Sequence, residues 1–190
     1  MSEIVFFLEE RSAEEMLMGL LPKILPNNVR YRCIVFEGKQ DLEKQIVRRM
    51  RLYRVPGARF VVLRDQDSAD CKTVKNGLVE KCKQAGHPDA LVRVACHELE
   101  SWYLADLAAV EMGLGLPGLV KSQKKRPYAK PDGQPNPSHA LRGIAPSYQK
   151  IGGSRAIGPH LDPENRRSQS FVNLVAGIRR LTPRPSKKSP

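Results

Sequence analysis

Five carboxylates carry the most chemistry this chain can offer. "FFLEER" sets Glu9 and Glu10 at the end of one apolar run, and "FVVLRDQDSADC" sets Asp65 and Asp67 at the end of another. Side chains at i and i+2 of an extended segment point the same way, so this spacing predicts that Asp65 and Asp67 share one cation. Hard carboxylate oxygens suit Mg2+ or Mn2+, which keep several waters and bind substrate phosphates. Such an ion activates water and stabilises the leaving oxygen of a phosphodiester. A lone Asp-x-Asp after a strand is ordinary turn and cap chemistry. Acids closing two strands are different, because uncompensated carboxylates repel, and a cluster marks a cation or raised pKa values. "HELESWYLAD" (97–106) adds Glu98 and Glu100 beside a third strand end. Both are candidates to bind a second cation or to serve as a base, with Glu100 the one expected to assist, although acids also favour a helix N-terminus through its dipole. Trp102 and Tyr103 are read as core, and Asp106 as a helix-surface residue.

These acids need elements that bring them together. "IVFFL" (4–8), "YRCIVF" (31–36), "ARFVVL" (58–63) and "ALVRVAC" (90–96) read as strands. Helical spacing lies between them. Ser12 and Glu15 form a capping box ahead of Met16, Leu17, Leu20 and Leu21, with Pro22 as the stop. Leu42, Ile46, Met50 and Tyr53 line a second helix, and Val74, Leu78, Cys82 and Ala85 a third. A fourth runs through "ELESWYLADLAAVEM". Four βα units predict an α/β domain over residues 1–115, a Rossmann-like four-stranded parallel sheet with flanking helices. Such sheets place their chemistry at the carboxyl ends of the strands, where the acids lie.

Residues 116–190 read as a basic, loop-rich extension. "GLGLPGLVKSQKKRPYAKPDGQPNPSHAL" is expected to be a long loop, and Phe171, Leu174, Val175 and Ile178 mark a last helix docking back on the domain. "TPRPSKKSP" reads as a frayed basic end. Charge follows the same boundary. The chain carries a formal +12, and the extension, with 15 Lys and Arg against Asp132, Asp162 and Glu164, accounts for all of it. A neutral front and a basic back suit a polyanionic partner, above all nucleic acid, with a solvated basic tail as the plainer account. Lys121, Lys124, Lys125 and Arg126 are the densest run, for sequence-independent backbone contact. Lys72, beside the acid pair, and Arg155, His160, Arg166 and Arg167 are further candidates, since guanidinium groups make bidentate phosphate contacts. Gly152-Gly153 follows no strand and lacks the downstream Lys-Ser/Thr of a P-loop, so nucleotide binding there is rejected. Cys33, Cys71, Cys82 and Cys96 lack paired metal-ligand spacing and read as reduced thiols of a cytoplasmic protein. No run approaches the roughly 18 apolar residues of a membrane helix, and the N-terminus lacks the features of a secretory signal.

"LEERSAEEML", "FEGKQDLEK", "FVVLRDQDSADC", "VRVACHELESWYLAD" and "YQKIGGSRAIGPHLDPENRRSQSF" resemble the bacterial domain-of-unknown-function 4276 family over nearly the whole chain. A glutamate closing the first strand and Asp-x-Asp closing the third also resemble the Toprim domain of topoisomerases, primases and OLD-type nucleases. The resemblance implies Mg2+-dependent phosphoryl transfer, with Glu9, Asp65 and Asp67 holding metal and Glu100 assisting. Glu10 stands where Toprim domains usually have glycine, and a one-residue shift exchanges its role with that of Glu9. The resemblance further implies a partner ATPase and a role in anti-phage defence. Two other readings stay open: a non-catalytic adaptor that binds an ATPase or nucleic acid, and a small-molecule phosphohydrolase.

Overall fold

The computed structural model describes residues 3–182, so the basic end falls largely outside the described residues. The sheet is four parallel strands in the order β2–β1–β3–β4, formed by Glu3–Leu8 (β1), Arg30–Val35 (β2), Arg59–Asp65 (β3) and Leu91–Ala95 (β4). The expected α/β class, with flanking helices, is what forms. Alternation along the strands explains the layers. Ile4, Phe6, Leu8, Val61 and Leu63 face one side, towards α1 (Arg11–Ile24), while Val5, Phe7, Phe60 and Val62 face α2 (Lys39–Leu52) and α3 (Cys71–Gln84). Chain order reverses direction at the β1–β3 junction, which makes their carboxyl ends the natural crevice of the sheet. Leu8 pairs with Leu63 there, so Glu10 and Asp65 each lie two residues beyond a matched pair.

Local signals were right in kind and sometimes wrong in place. Asp70 caps α3 by accepting from Thr73 N at 2.8 Å, and Ser168 caps α9 (Gln169–Leu181) by accepting from Phe171 N at 3.1 Å. The expected Ser12 box does not form. α1 starts at Arg11 with Glu10 as N-cap, so Ser12 lies inside the first turn and its hydroxyl donates to Glu10 Oε1 at 2.6 Å. Pro22 does not stop this helix, which ends after Ile24. The helix expected through 98–112 is two: α4 (Glu100–Ala105) and α5 (Leu107–Leu114). Asp106 breaks them at φ −136°, ψ 70°; it is buried, not a surface residue. Its Oδ1 accepts from Ala109 N at 3.2 Å and its Oδ2 from Asp162 N at 2.8 Å.

The Gly/Pro/Lys-rich stretch expected as a long loop holds short helical pieces, among them α6 (Arg126–Ala129) and the start of α7 (Pro137–Ile144), and α8 (Lys150–Ile157) follows it. Gln123 ties it down: its amide donates to Leu104 O and Tyr128 O, both at 3.0 Å, and its carbonyl accepts from Leu107 N at 2.8 Å. α8 lies against α1. A Cβ on Gly158, just past α8, would stand 2.6 Å from Met16 O of α1, and within α8 one on Gly153 would stand 2.3 Å from the Tyr148 ring. The Gly152-Gly153 pair therefore lies within a packed helix, consistent with rejecting a phosphate loop. α9 closes the layer beyond β4, with Phe171 against Trp102. Trp102 Nε1 donates to Ser170 Oγ and Tyr103 OH to Ser154 Oγ, so both rings are core as expected.

Candidate carboxylate site

The five acids meet at the carboxyl edge of the sheet, but divided between its two sides. β3 ends at Asp65, whose side chain continues the Leu63 alternation towards the α1 side. Asp67 does not extend the strand. Its φ of 57° is left-handed, and its carboxylate turns to Lys39 Nζ at 2.8 Å and Arg64 Nη2 at 3.6 Å. The expectation that Asp65 and Asp67 point together at one cation therefore fails, because the extended geometry it assumes ends between them. Asp tolerates the left-handed region better than most residues. His97, at φ 56°, is its counterpart after β4: Asp67 N donates to His97 O at 2.7 Å, and His97 Nδ1 lies 3.1 Å from Asp67 O.

Glu9 belongs to the Asp67 side by charge and to Asp65 by hydrogen bond. Its Oε2 accepts from Asp65 N at 2.9 Å and lies 3.9 Å from Arg64 Nε. Arg64 is buried directly after the apolar run 60–63 of β3 and is paired also with Glu43. Leaving such a cation without partners costs about 3–5 kcal/mol, so these acids fix it. Burial pushes the Glu9 carboxyl above its usual range, against the Asp65 amide and Arg64 and with help from Asp67 and Glu10.

On the other side Glu10, Asp65 and Glu100 surround a cation that sequence reasoning missed, Lys150. Its Nζ lies 2.7 Å from Glu10 Oε1 and 3.9 Å from Asp65 Oδ2. Glu100 is fully buried; its Oε1 accepts from Tyr148 OH at 2.9 Å, and its Oε2 is buried without a hydrogen-bond partner. Burial raises the Asp65 carboxyl well above its usual range; Lys150 opposes this and Glu10, Glu100 and Glu9 add to it. Glu100 is raised for the same first reason, against Lys150, its own backbone amide and Tyr148. Burial works against the charge of Lys150, yet Glu10, Glu100 and Asp65 outweigh it and hold the ammonium above its ordinary range. Lys150 lies in the "YQKIGGS" block beside Tyr148, and only the packing of α8 on α1 brings it 140 residues back to Glu10.

Among the described residues no three His, Cys, Asp or Glu side chains are gathered to hold a metal ion as they stand. The donor set nonetheless fits a divalent cation: three carboxylates at a buried edge, one with an orphaned oxygen, and an ammonium in a cation's place.

The remaining candidates lie elsewhere. Lys72 is exposed in the first turn of α3, at the same sheet edge. Lys121, Lys124, Lys125 and Arg126 are exposed on the segment anchored by Gln123. Arg155 grips Glu15 with two hydrogen bonds of 2.8 and 2.9 Å. Arg166 pairs with Glu164, and Arg167 Nη1 reaches Ala105 O at 3.4 Å. His160 follows Pro159, which packs on Gly19 in the second half of α1, away from the carboxylates at its start. Among the described residues no ion pair joins these four to the five acids. Glu98 Oε2 accepts from Ser138 N at the start of α7. The four cysteines are free, and burial pushes the thiols of Cys33 to about 12 and of Cys82 and Cys96 to about 11.

A protein-family model described as a domain of unknown function (DUF4276) matches residues 8–179. No curated protein and no solved structure matches the chain. No described helix is long and apolar enough to cross a membrane.

Proposed function

Since the chain belongs to the DUF4276 family, whose description assigns no activity, we propose a function from its own residues: a Mg2+- or Mn2+-dependent nuclease that hydrolyses phosphodiesters. The observation that carries this reading is the buried Glu100 oxygen left without a partner beside Asp65, Glu10 and a lone ammonium. A buried carboxylate costs free energy unless a cation or proton answers it. Glu10, Asp65 and Glu100 are the residues that would hold the ion, and Glu9 and Asp67 support the edge through Arg64 and Lys39. The ion would supply charge neutralisation and water activation to a phosphodiester at that edge. Lys150, its positive charge secured by the surrounding acids, is positioned to donate to a phosphate oxygen; Tyr148 holds Glu100 in orientation. Lys72 and the Lys121–Arg126 run would hold the polyanion without reading its sequence. A partner ATPase and a defence role join this proposal from the resemblance to the family, and a cytoplasmic setting from the free thiols.

The test is cleavage of single- and double-stranded DNA and RNA with Mg2+ or Mn2+. Asp65→Asn is expected to abolish cleavage, and Lys124→Gln/Lys125→Gln/Arg126→Gln to weaken binding and flatten its salt dependence by up to about 0.9 per lost contact in log K against log salt. Cleavage that survives Asp65→Asn with Glu100→Gln refutes the nuclease reading. One observation favours the non-catalytic adaptor instead, namely that Lys150 already neutralises part of the acid cluster. That reading predicts salt-sensitive binding and no hydrolysis by the wild type, with or without its ATPase. A phosphohydrolase predicts hydrolysis of small phosphate esters and no retention of nucleic acid.

A further inference from the structure

Both close donors to Glu10 Oε1 matter for what else that oxygen can bind. Ser12 Oγ stands 2.6 Å from it and Lys150 Nζ 2.7 Å. A carboxylate oxygen offers two lone-pair directions, and here both are taken. The third member of the cluster, Glu100, presents a fully buried oxygen that has no hydrogen-bond partner. An incoming ion therefore finds one free buried oxygen, while the ammonium reaches the other two carboxylates.

Lys150 is also placed to leave. It is the first residue of α8, where the helix dipole disfavours a cation, so the acids and not the helix hold it there. Its side chain keeps 37% of its surface exposed, so its flexible stem can carry the charge out to water without opening the core. Tyr148, two residues earlier, is fully packed under Gly153 and anchored on Glu100, so α8 stays in place while the lysine moves.

We propose that Lys150 and the divalent ion compete for Glu10, Asp65 and Glu100, so that the resting protein holds its metal site closed with an internal cation. The inference rests on the metal-dependent reading of the same site and adds its regulation: metal loads only when the ammonium swings away.

Mn2+ titration of the full chain by calorimetry and by loss of the free-Mn2+ electron paramagnetic resonance signal tests this without any turnover. Lys150→Met keeps the stem and removes the charge; Lys150→Arg keeps the charge. Lys150→Met is expected to bind Mn2+ roughly fivefold to tenfold more tightly than wild type or better, since the ion then has no ammonium to displace from acids within about 4 Å of it. Lys150→Arg is expected to bind as weakly as wild type. Circular dichroism checks that each variant is folded, and Lys150→Gln replaces the methionine variant if it is not. Equal or weaker binding by the uncharged variant, while wild type does bind Mn2+, overturns the competition and leaves the metal site standing. Absence of Mn2+ binding by every variant overturns the metal reading itself, and the competition with it.

Discussion

Replacing Glu100 by Gln should make this protein more stable, not less. Glu100 is fully buried, and only one of its carboxylate oxygens has a donor, Tyr148 OH at 2.9 Å. Leaving a buried polar atom unpaired costs about 1–3 kcal/mol, more when it is charged. Gln keeps the shape and the oxygen that Tyr148 needs, removes the charge, and turns its amide towards acidic neighbours. For a chain of this length each kcal/mol moves Tm by about 2–4 °C, so a gain of about 2–12 °C is expected. The pH dependence gives the sharper check. Burial holds the Glu100 carboxyl above its ordinary 4.5, against Lys150 and Tyr148. A raised folded-state pKa means the native state binds the proton more tightly, so its favourable contribution is complete below 4.5 and is lost as pH rises through the folded value. Wild type is therefore penalised at pH 8 more than at pH 5, and Gln, which cannot ionise, escapes the penalty. Melts by circular dichroism in metal-free buffer should show the larger gain at pH 8. A lower Tm for the variant at pH 8, or an equal gain at both pH values, refutes the account of Glu100 as an under-compensated buried acid.

The reverse linkage holds at Glu15, whose carboxyl Arg155 chiefly, and Arg11 also, hold down to about 2. Its stabilisation is present above 4.5 and lost as pH falls towards 2, so Arg155→Met should lower the urea midpoint at pH 7, with the difference from wild type shrinking by pH 3. In α8 the two adjacent glycines should part company under alanine: Gly153→Ala drives a methyl to 2.3 Å from the Tyr148 ring, costing about 1–3 kcal/mol in urea unfolding, whereas the open position at Gly152 should gain up to about 1 kcal/mol.

The strands were legible because apolar runs of five or six residues bounded by polar turns have few other uses, and their sheet followed from the alternation with helices. Asp70 and Ser168 were legible as caps because capping is local chemistry. Other features depend on partners distant in the chain. Glu15 looked like half of a capping box until Arg155, 140 positions away, claimed it. Asp65 and Asp67 looked parallel because a left-handed turn between them leaves no periodic signature; the Asp itself was the only hint. Asp106 did carry a signal, an acid ahead of "LAAV", and reads in hindsight as the cap of a second helix. Arg64 carried another, a charge inside "FVVLRD" that requires buried partners. Lys150 carried only its place in a block resembling the family, since one lysine among many says nothing of where its helix docks.

The distance along the chain between the acids and their lysine also orders events during synthesis. All four strands and Glu100 are made before Lys150 emerges, and at about 5–20 residues per second the ribosome takes roughly 3–10 seconds to cover that gap. Through those seconds a nascent sheet must carry Glu10, Asp65 and Glu100 without the ammonium that later sits among them, and protons or ions from solution can stand in for it. α8 supplies that counterweight only after the sheet is made, so the closing of this edge waits for the segment that follows the sheet and not for the sheet alone.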